Sequence, residues 1–313
     1  MSDWRPTASA AALRQRAAML RRVREFFAER GVVEVQTPLL TASGVTDVQI
    51  ESIATAAPAG WLRTSPEYFH KRLLADGFGD LFELGPAFRR GECGRNHQPE
   101  FTLLEWYRVG MSWRELAGEA AALVRACLPG RELSIRFASW QESFEQRLGI
   151  DALEADMRTL SGLADGAPAG LDRDALLDWL FATRIQERFL PGEITVVHHY
   201  PASQAALARL DPDDLRVAKR FELFVGPIEL ANGYHELCDP IQQRSRFERD
   251  LALRRDRGQE PMPIDETLLD ALGAGLPDCS GIALGFDRLL MLACDADTIE
   301  QVVSFARRPG LDS

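Results

Sequence analysis

The chain has 313 residues, of which 46% are hydrophobic and 27% charged, proportions that suit a globular protein able to bury a sizeable core. Its net charge of −11 argues against a protein that holds nucleic acid through bulk electrostatic attraction. The five cysteines are scattered without a C-x-x-C pair, and no apolar run approaches the length of a membrane span. We therefore predict a reduced, cytoplasmic protein without a disulfide framework or a structural zinc site.

The N-terminal segment predicts a helix over residues 10–30, in which apolar side chains recur about every 3.6 residues. Gly31 suits the end of that helix, and a β-branched strand over residues 32–36 stops at Pro38. The helix also carries a cluster of five arginines. These could form a local basic patch, but we interpret them as a solvated helix face: Arg14, Arg16, Arg21, Arg22 and Arg24.

The middle of the chain predicts a hairpin followed by helices. Residues 81–108 read as two strands joined by a polar loop, and residues 113–128 suit a helix. Residues 140–190 are mostly helical in pattern. The small residues at 161–170 interrupt that stretch and could mark an insertion or a mobile cap.

The C-terminal part returns to strands near residues 194–200, 220–225 and 228–237, followed by a helix over 242–258. The chain then closes with a glycine-containing strand and an apolar helix over residues 281–293. Hairpins link neighbouring strands and no regular βαβ alternation occurs, so we predict an α+β fold, an antiparallel sheet flanked by helices. We expect residues 1–313 to form one catalytic domain.

The hairpin over residues 81–108 gathers an unusual set of side chains on one face. With the loop centred near Arg95, Arg89 lies opposite Phe101. Because strand side chains alternate, that face carries Arg89, Phe101, Leu103, Glu105 and Tyr107. The mixture indicates a ligand that has a phosphate, an aromatic base and an amine.

Two glutamates on neighbouring predicted strands form a second candidate site. A turn at Gly226-Pro227 would pair residue 222 with 231 and residue 224 with 229, which brings Glu222 and Glu229 to one face. Close carboxylates without a cationic partner favour a bound cation, and Mg²⁺ on a nucleotide's phosphates is the natural candidate. Taken alone, the pair is better interpreted as two exposed strand glutamates.

The C-terminal SGIALGFDRLLML segment is a third candidate, because glycines admit a ligand to the backbone and Arg288 offers a planar fork for phosphate. It lacks the glycine patterns of a P-loop or a dinucleotide-binding fold. The pair His198-His199 is better interpreted as a strand-to-loop pair than as a metal site.

Together these segments resemble the catalytic domain of class II aminoacyl-tRNA synthetases. Residues 22–38 are similar to motif 1, residues 88–105 to motif 2, and residues 281–288 to motif 3. TSPEYFHKRLL and ELANGYHELCDP resemble substrate segments of the lysyl enzymes. HQPEFTLLEWYR and HHYPASQAALA are similar to the short lysyl-like ligases that attach (R)-β-lysine to elongation factor P. The resemblance covers nearly the whole chain.

The resemblance implies a homodimer formed through the motif 1 region, and ATP and Mg²⁺ as the molecules bound. Arg89 would hold the α-phosphate and act in catalysis with Arg288, while Phe101 and Arg288 would enclose the adenine. Glu222 and Glu229 would bind the metal. The remaining nucleotide contacts would come from Arg90, Gly91, Gln98, Glu229, Leu230 and Gly285. The amino-acid substrate would lie among Ser65, Pro66, Glu67, Glu105, Tyr107, Asn232, Glu236 and Ala283.

Three positions depart from the family pattern. Gly91 stands where motif 2 usually has glutamate, and the acid comes one residue later at Glu92. Gln98 replaces the more usual asparagine. Ala283 replaces a glycine of the lysyl-tRNA synthetases, and we hypothesise that its methyl group shifts the preference toward a β-amino acid.

The resemblance leaves the acceptor to be decided among alternatives. Lysyl-tRNA synthetases carry an N-terminal anticodon-reading domain, whereas motif 1 starts here near residue 22, so we expect elongation factor P and not tRNA as the acceptor. A tRNA-charging enzyme of the same fold is one alternative. The other is a non-catalytic paralogue that senses an amino acid, against which the chain keeps Arg89, Glu222, Glu229 and Arg288.

Overall fold

The computed structural model describes residues 4–57 and 59–307. Within them the strands are β1 (Val33–Glu34), β2 (Leu40–Thr41), β3 (Ile53–Ala56), β4 (Ala59–Leu62), β5 (Leu81–Phe88), β6 (Glu100–Val109), β7 (Ser134–Ser139), β8 (Glu193–Pro201), β9 (Val217–Val225), β10 (Ile228–His235) and β11 (Cys279–Gly285). The α-helices are α1 (Ala10–Ala28), α2 (Glu67–Ala75), α3 (Trp113–Cys127), α4 (Trp140–Leu148), α5 (Met157–Leu163), α6 (Arg173–Leu180), α7 (Pro240–Asp256), α8 (Glu266–Gly275) and α9 (Phe286–Ala293).

A single eight-stranded sheet organises the described residues, in the order β1-β5-β6-β11-β10-β9-β8-β7. The six central strands are antiparallel, and only the edge pairs β1–β5 and β7–β8 are parallel. A smaller sheet of β2, β4 and β3 stands beside it. The prediction of an α+β fold built on an antiparallel sheet is confirmed.

One face of the large sheet is covered by α1, α3 and α9, which share its principal apolar core. Ser9 caps the N-terminus of helix α1, and its hydroxyl accepts a hydrogen bond from the Ala12 amide; beyond the helix the chain turns at Gly31 with φ 68°. In that core Phe27 stacks on Phe82 at a centroid distance of 4.4 Å. This face is therefore sealed, and ligands can approach only the other one.

Two smaller cores flank the opposite face. Residues from α4 to the π-helical turn Phe181–Ile185 pack with Val197, Tyr200 and Phe224 over the β8–β9 end. Helices α2, α7 and α8 pack over the β5–β6 end, where Tyr107 joins their core. The middle of the sheet stays open between these two blocks. That opening is where the predicted site residues gather.

The predicted elements agree with the structure in the α1 helix, the β5–β6 hairpin, α3, the helical stretch after residue 140, and the strands and helix from β8 onward. The predictions omitted α2, α8, β7 and the small sheet. The predicted break at residues 161–170 overlaps the end of α5, which runs to Leu163, and its remaining residues lie between α5 and α6. The solvated-face interpretation of the α1 arginines was wrong for Arg16, which pairs with the buried Asp287 and also donates to Thr102.

The predicted register of the β5–β6 hairpin was wrong by two residues. Phe101 lies opposite Ala87 and not Arg89, because the connecting loop folds on itself through a bridge between Gly94 and His97. A shift of two keeps every side chain on its face, since strand side chains alternate. Arg89 therefore still lies on the side of Phe101, with its guanidinium 5.1 Å from the ring centroid.

None of the helices in the part of the chain that the structure describes combines the length and apolarity needed to cross a membrane.

Candidate active site

The open sheet face is the floor of a cavity of about 720 Å³. Its strands are in register, so side chains form rows that run across the sheet. One row contains Glu105 of β6, Ala283 of β11, Asn232 of β10 and Glu222 of β9. Residues that are far apart in the chain therefore lie as cross-strand neighbours on one surface.

The next row contains Tyr107, Gly281, Tyr234 and Arg220. A β-carbon at Gly281 would lie 2.2 Å from the Tyr107 ring and 2.5 Å from a carboxylate oxygen of Glu236. Both distances are below any real contact, so the floor requires glycine here. The missing side chain is what allows Tyr107 and Glu236 to approach β11.

One end of the cavity, which we call the arginine end, holds Arg89 and Arg288. The Arg89 guanidinium lies over Phe101 and is 3.5 Å from the Glu92 carboxylate. Arg288, in the first turn of α9, donates to the backbone carbonyl of Glu229 at 3.0 Å and contacts the His97 ring at 2.6 Å. Two guanidinium groups beside an aromatic ring form a suitable surface for phosphate and a base.

The loop between β5 and β6 contributes unevenly to this end. Glu92, His97 and Gln98 line the cavity, whereas Arg90 and Gly91 are exposed outside it. The Gln98 amide exchanges two hydrogen bonds with the backbone of Arg307, at 2.8 and 3.2 Å. Gln98 therefore ties the loop to the C-terminal segment in this structure.

Glu222 and Glu229 both line the cavity, but the predicted pairing around them was partly wrong. Residue 224 does pair with 229, whereas a β-bulge between Glu229 and Ala231 shifts Glu222 opposite Asn232. The extra residue changes the phase of the alternation, so that both Glu229 and Asn232 face the cavity.

The argument that Glu222 lacks a cationic partner was also wrong. Arg220 donates to one of its carboxylate oxygens at 2.6 Å, and the Tyr200 hydroxyl donates to the other at 2.7 Å. Burial raises the pKa of Glu222, Arg220 opposes that rise, and the charge of Glu229 adds to it. The two carboxylates therefore repel each other electrostatically, and a cation between them would relieve that repulsion.

The carboxylates of Glu222 and Glu229 fit a hard divalent cation only if other ligands complete its coordination. Among residues 4–57 and 59–307, no cluster of three or more acidic, histidine or cysteine side chains is suited to a metal ion. Two carboxylates with the remaining positions left to phosphate and water is the usual arrangement for nucleotide-bound Mg²⁺. The residues present therefore fit a metal that arrives with a nucleotide.

The other end of the cavity, which we call the carboxylate end, is built around a buried lysine. Lys71 of α2 has no solvent exposure, and its ammonium lies 2.8 Å from Glu67 and 2.7 Å from Glu236. Burial disfavours its charge, but Glu236 and Glu67 outweigh burial and raise its pKa. Glu67 lines the cavity, and Glu236 lies behind it.

The carboxyl groups of Glu67 and Glu236 outnumber the single ammonium group of Lys71. Burial raises the pKa of Glu236 to about 8, although Lys71 opposes the rise. Glu105 lies in the floor at 2% exposure and accepts a hydrogen bond of 3.0 Å from the Tyr107 hydroxyl. An unsatisfied excess of buried carboxylate is a suitable environment for an amine ligand.

Most residues that the sequence predicted for this site do line the one cavity. They are Ser65, Glu67, Arg89, Gln98, Phe101, Glu105, Tyr107, Glu222, Glu229, Leu230, Asn232, Ala283, Gly285 and Arg288. Four predicted residues lie outside its lining: Pro66, Arg90, Gly91 and Glu236. Pro66 precedes the first residue of α2, and Glu236 lies behind the lining, where it pairs with Lys71 and approaches Gly281.

Sequence reasoning missed several charged side chains of the site, namely Arg63, His70, Lys71, Glu83 and Arg220. The signal for Arg220 was its position two residues before Glu222, which places both on one strand face. His70 and Lys71 belong to the TSPEYFHKRLL segment, which resembles a substrate segment of the lysyl enzymes. Nothing in the sequence showed that the helix carrying them is buried.

The architecture and the cavity define a class II synthetase catalytic domain, and residues 1–309 match the family described as tRNA synthetases class II (D, K and N). The chain belongs to that family. It is 48% identical, over 97% of this chain and 98% of the other, to the elongation factor P–(R)-β-lysine ligase of Vibrio cholerae. Ligases with the same name from Vibrio campbellii and Salmonella dublin are 45% and 44% identical over 97% of this chain, covering 98% and 97% of their own lengths.

The buried lysine gives a first test of the carboxylate end. Replacing Lys71 with Met leaves Glu67 and Glu236 buried without their cation, which should lower the free energy of unfolding by about 3–5 kcal/mol near neutral pH. Carboxyl groups with raised pKa values stabilise the fold while protonated and cease to do so as pH rises through those values. The deficit should therefore deepen between about pH 5 and about pH 9.

Denaturant unfolding across that pH range measures the deficit. Arg72→Met is the matched control, because Arg72 is exposed on the same helix and its loss should change stability by no more than about 0.5 kcal/mol. A deficit for Lys71→Met that is constant with pH would contradict the charge assignment.

Proposed function

We propose that this protein is an ATP-dependent ligase that activates (R)-β-lysine as its adenylate and transfers it to the ε-amine of a lysine on elongation factor P. The observation that carries the proposal is one cavity with an arginine end and a carboxylate end on a single sheet face. The names of the curated relatives supply the identity of the amino acid and of the acceptor. An acceptor that works in translation places the enzyme in the cytoplasm.

In the first step, the substrate carboxylate attacks the α-phosphorus of ATP, and the bond from that phosphorus to the bridging oxygen breaks to release pyrophosphate. Arg89 would stabilise the charge that develops on the α-phosphate, and Phe101 with Arg288 would enclose the adenine. Glu222 and Glu229 would hold the Mg²⁺ that neutralises pyrophosphate as it leaves. Glu67 and Glu105 would bind the substrate's ammonium groups.

In the second step, the ε-amine of the acceptor lysine attacks the carbonyl carbon of the adenylate. The bond from that carbon to the phosphate oxygen breaks, AMP leaves, the amine gives up a proton, and an amide remains. The enzyme needs no nucleophile of its own for either step. Its contribution is to align the reactants and to stabilise developing charge.

The function is tested by offering the protein ATP, (R)-β-lysine and a choice of two acceptors, elongation factor P and tRNA. We expect pyrophosphate exchange that depends on the amino acid, and a mass increase of one lysyl residue on the protein acceptor alone. Arg89→Ala should lower the exchange rate roughly 10²- to 10³-fold. Arg95→Ala is the control, because this arginine is 70% exposed and lies outside the cavity on the same loop.

Attachment of the amino acid to tRNA would favour the tRNA-charging alternative over the proposed acceptor. Absence of exchange with every lysine isomer would favour a non-catalytic role.

The floor of the cavity also suggests how the enzyme selects its amino acid. Ala283 lies between Glu105 and Asn232, and its methyl group belongs to the cavity lining. Ala283→Gly should make room for an α-amino group and raise the relative activity with α-lysine on the order of tenfold. Pyrophosphate exchange with α- and β-lysine measures the ratio.

Ala231→Gly is the matched control for that experiment. This substitution also removes one methyl group, from the neighbouring strand β10, but Ala231 belongs to the core on the opposite face of the sheet. If the two variants prefer β-lysine to the same degree as the parent, Ala283 does not set the preference.

We further propose that the protein is a homodimer through its motif 1 region. The support is a group of exposed apolar side chains in that region and directly after it, Val33 at 49%, Leu39 at 39% and Leu40 at 38%. Light scattering should give twice the chain mass of 34.9 kDa, and Val33→Asp should shift the protein toward the monomer. Leu215→Asp, at a side chain 67% exposed elsewhere, should leave the dimer intact; a monomeric parent protein would refute the proposal.

A further inference from the structure

His70 lies beneath the carboxylate end, between two carboxylates on different strands. Its ring has no solvent exposure. Nε2 is 3.1 Å from an oxygen of Glu83, and Nδ1 points toward the cavity residue Glu105, with 3.6 Å to its nearer oxygen. Among the described residues, no atom forms a hydrogen bond with Nδ1, although it is buried.

The chemistry of the ring indicates which protons this arrangement requires. An ionised carboxylate only accepts hydrogen bonds, and a neutral imidazole carries one proton. A neutral ring that donates to Glu83 would present its Nδ1 lone pair to the Glu105 carboxylate, which is repulsive. Only the doubly protonated ring offers a donor to each side.

The fixed charges around the ring also favour a positive His70. Glu83 is held by Arg63 at 2.7 Å and by the Thr37 hydroxyl at 2.8 Å, so it remains ionised. The groups that face or adjoin the ring carry four carboxylates and two permanent cations, besides the neutral Tyr107. They are Glu67 and Lys71 on α2, Arg63 after β4, Glu83 on β5, Glu105 and Tyr107 on β6, and Glu236 after β10.

We propose that His70 is a positioning residue that supplies a positive charge beside Glu105 until the substrate's ammonium group replaces it. In the free enzyme its ring is doubly protonated and balances Glu105. When an ammonium group reaches Glu105, the Nδ1–H bond breaks, the proton passes to the solvent, and the ammonium takes over the charge balance. This inference rests on the proposed function insofar as the ligand is a diamino acid.

The electrostatics of the cluster agree with that assignment. Burial disfavours the charge of His70, but its contacts with Glu105 and Glu83 outweigh burial and raise its pKa. His70 in turn helps to lower the pKa of Glu83 to about 2, against the effect of burial. An incoming cation beside Glu105 would cancel the contribution that keeps the Nδ1 proton in place.

Replacement of the His70 proton by the ligand's ammonium group affects which ligands the cluster prefers. Loss of the His70 proton leaves the cluster one charge more negative than it is with His70 protonated. The neutral state therefore suits a ligand with two ammonium groups better than the protonated state does. Binding of (R)-β-lysine should therefore weaken as pH falls below the pKa of His70, because the proton competes with the ligand.

The charge of His70 can be read without any ligand. The chain has five histidines, so ¹⁵N labelling of their rings gives few signals, and single substitutions at the other four assign His70 by elimination even if His70 variants fail to fold. We expect both ring nitrogens of His70 to carry protons at pH 7 in the free protein. A neutral ring would overturn the proposal.

The displaced proton is measured by calorimetric titration of (R)-β-lysine in buffers with different ionisation enthalpies. His70→Gln keeps a donor near Glu83 but holds no exchangeable charge, so it should release one proton fewer than the parent. Its plot of log Kd against pH should be shallower by about one unit below neutrality. His235→Gln, at a histidine paired with Asp278 outside the cavity, should release as many protons as the parent.

Equal proton release by His70→Gln and the parent would also overturn the proposal. If no lysine isomer binds, the proposed function fails, and the NMR measurement on the free protein still decides whether His70 carries the charge. The two failures are therefore distinct.

Discussion

Cross-strand register is the constraint on which the site depends. Four strands from distant parts of the chain contribute one residue each to the row of Glu105, Ala283, Asn232 and Glu222. A slip of one residue in any strand would turn its contribution into the sealed core beneath the sheet. The packing of α1, α3 and α9 on the opposite face fixes that register, so the apolar core and the polar site specify each other.

Electrostatic balance is the second constraint, and it differs between the two ends of the cavity. At the arginine end the guanidinium groups are half-buried and loosely paired, which leaves them available to an anionic ligand. At the carboxylate end the charges are more deeply buried, and Lys71, Arg63 and His70 contact the carboxylates there. An amino-acid substrate, with ammonium groups at one side and a carboxylate at the other, matches that polarity in only one orientation.

The sequence contained most of the fold because its strong patterns were local: a helix with a glycine end, a hairpin, and strands bounded by turn residues. Side-chain alternation also gave the correct face for Arg89, Phe101 and Glu105 despite a register error of two residues. Local patterns could not predict the contacts that depend on tertiary packing. His70 and Lys71 are buried because they lie on the side of α2 that faces Glu83, Glu105 and Glu236 of the large sheet region. The ion pair between Arg220 and Glu222 depends on side-chain conformations within one strand face.

The bulge at Leu230 divides β10 into two stretches whose side-chain alternation has different phase. Glu229 belongs to the stretch near the arginine end, and Asn232 and Tyr234 belong to the stretch near the carboxylate end. The two halves of the binding surface are therefore structurally modular within a single strand. Evolution could remodel the half at the carboxylate end, one alternate position at a time, without moving a residue of the half at the arginine end.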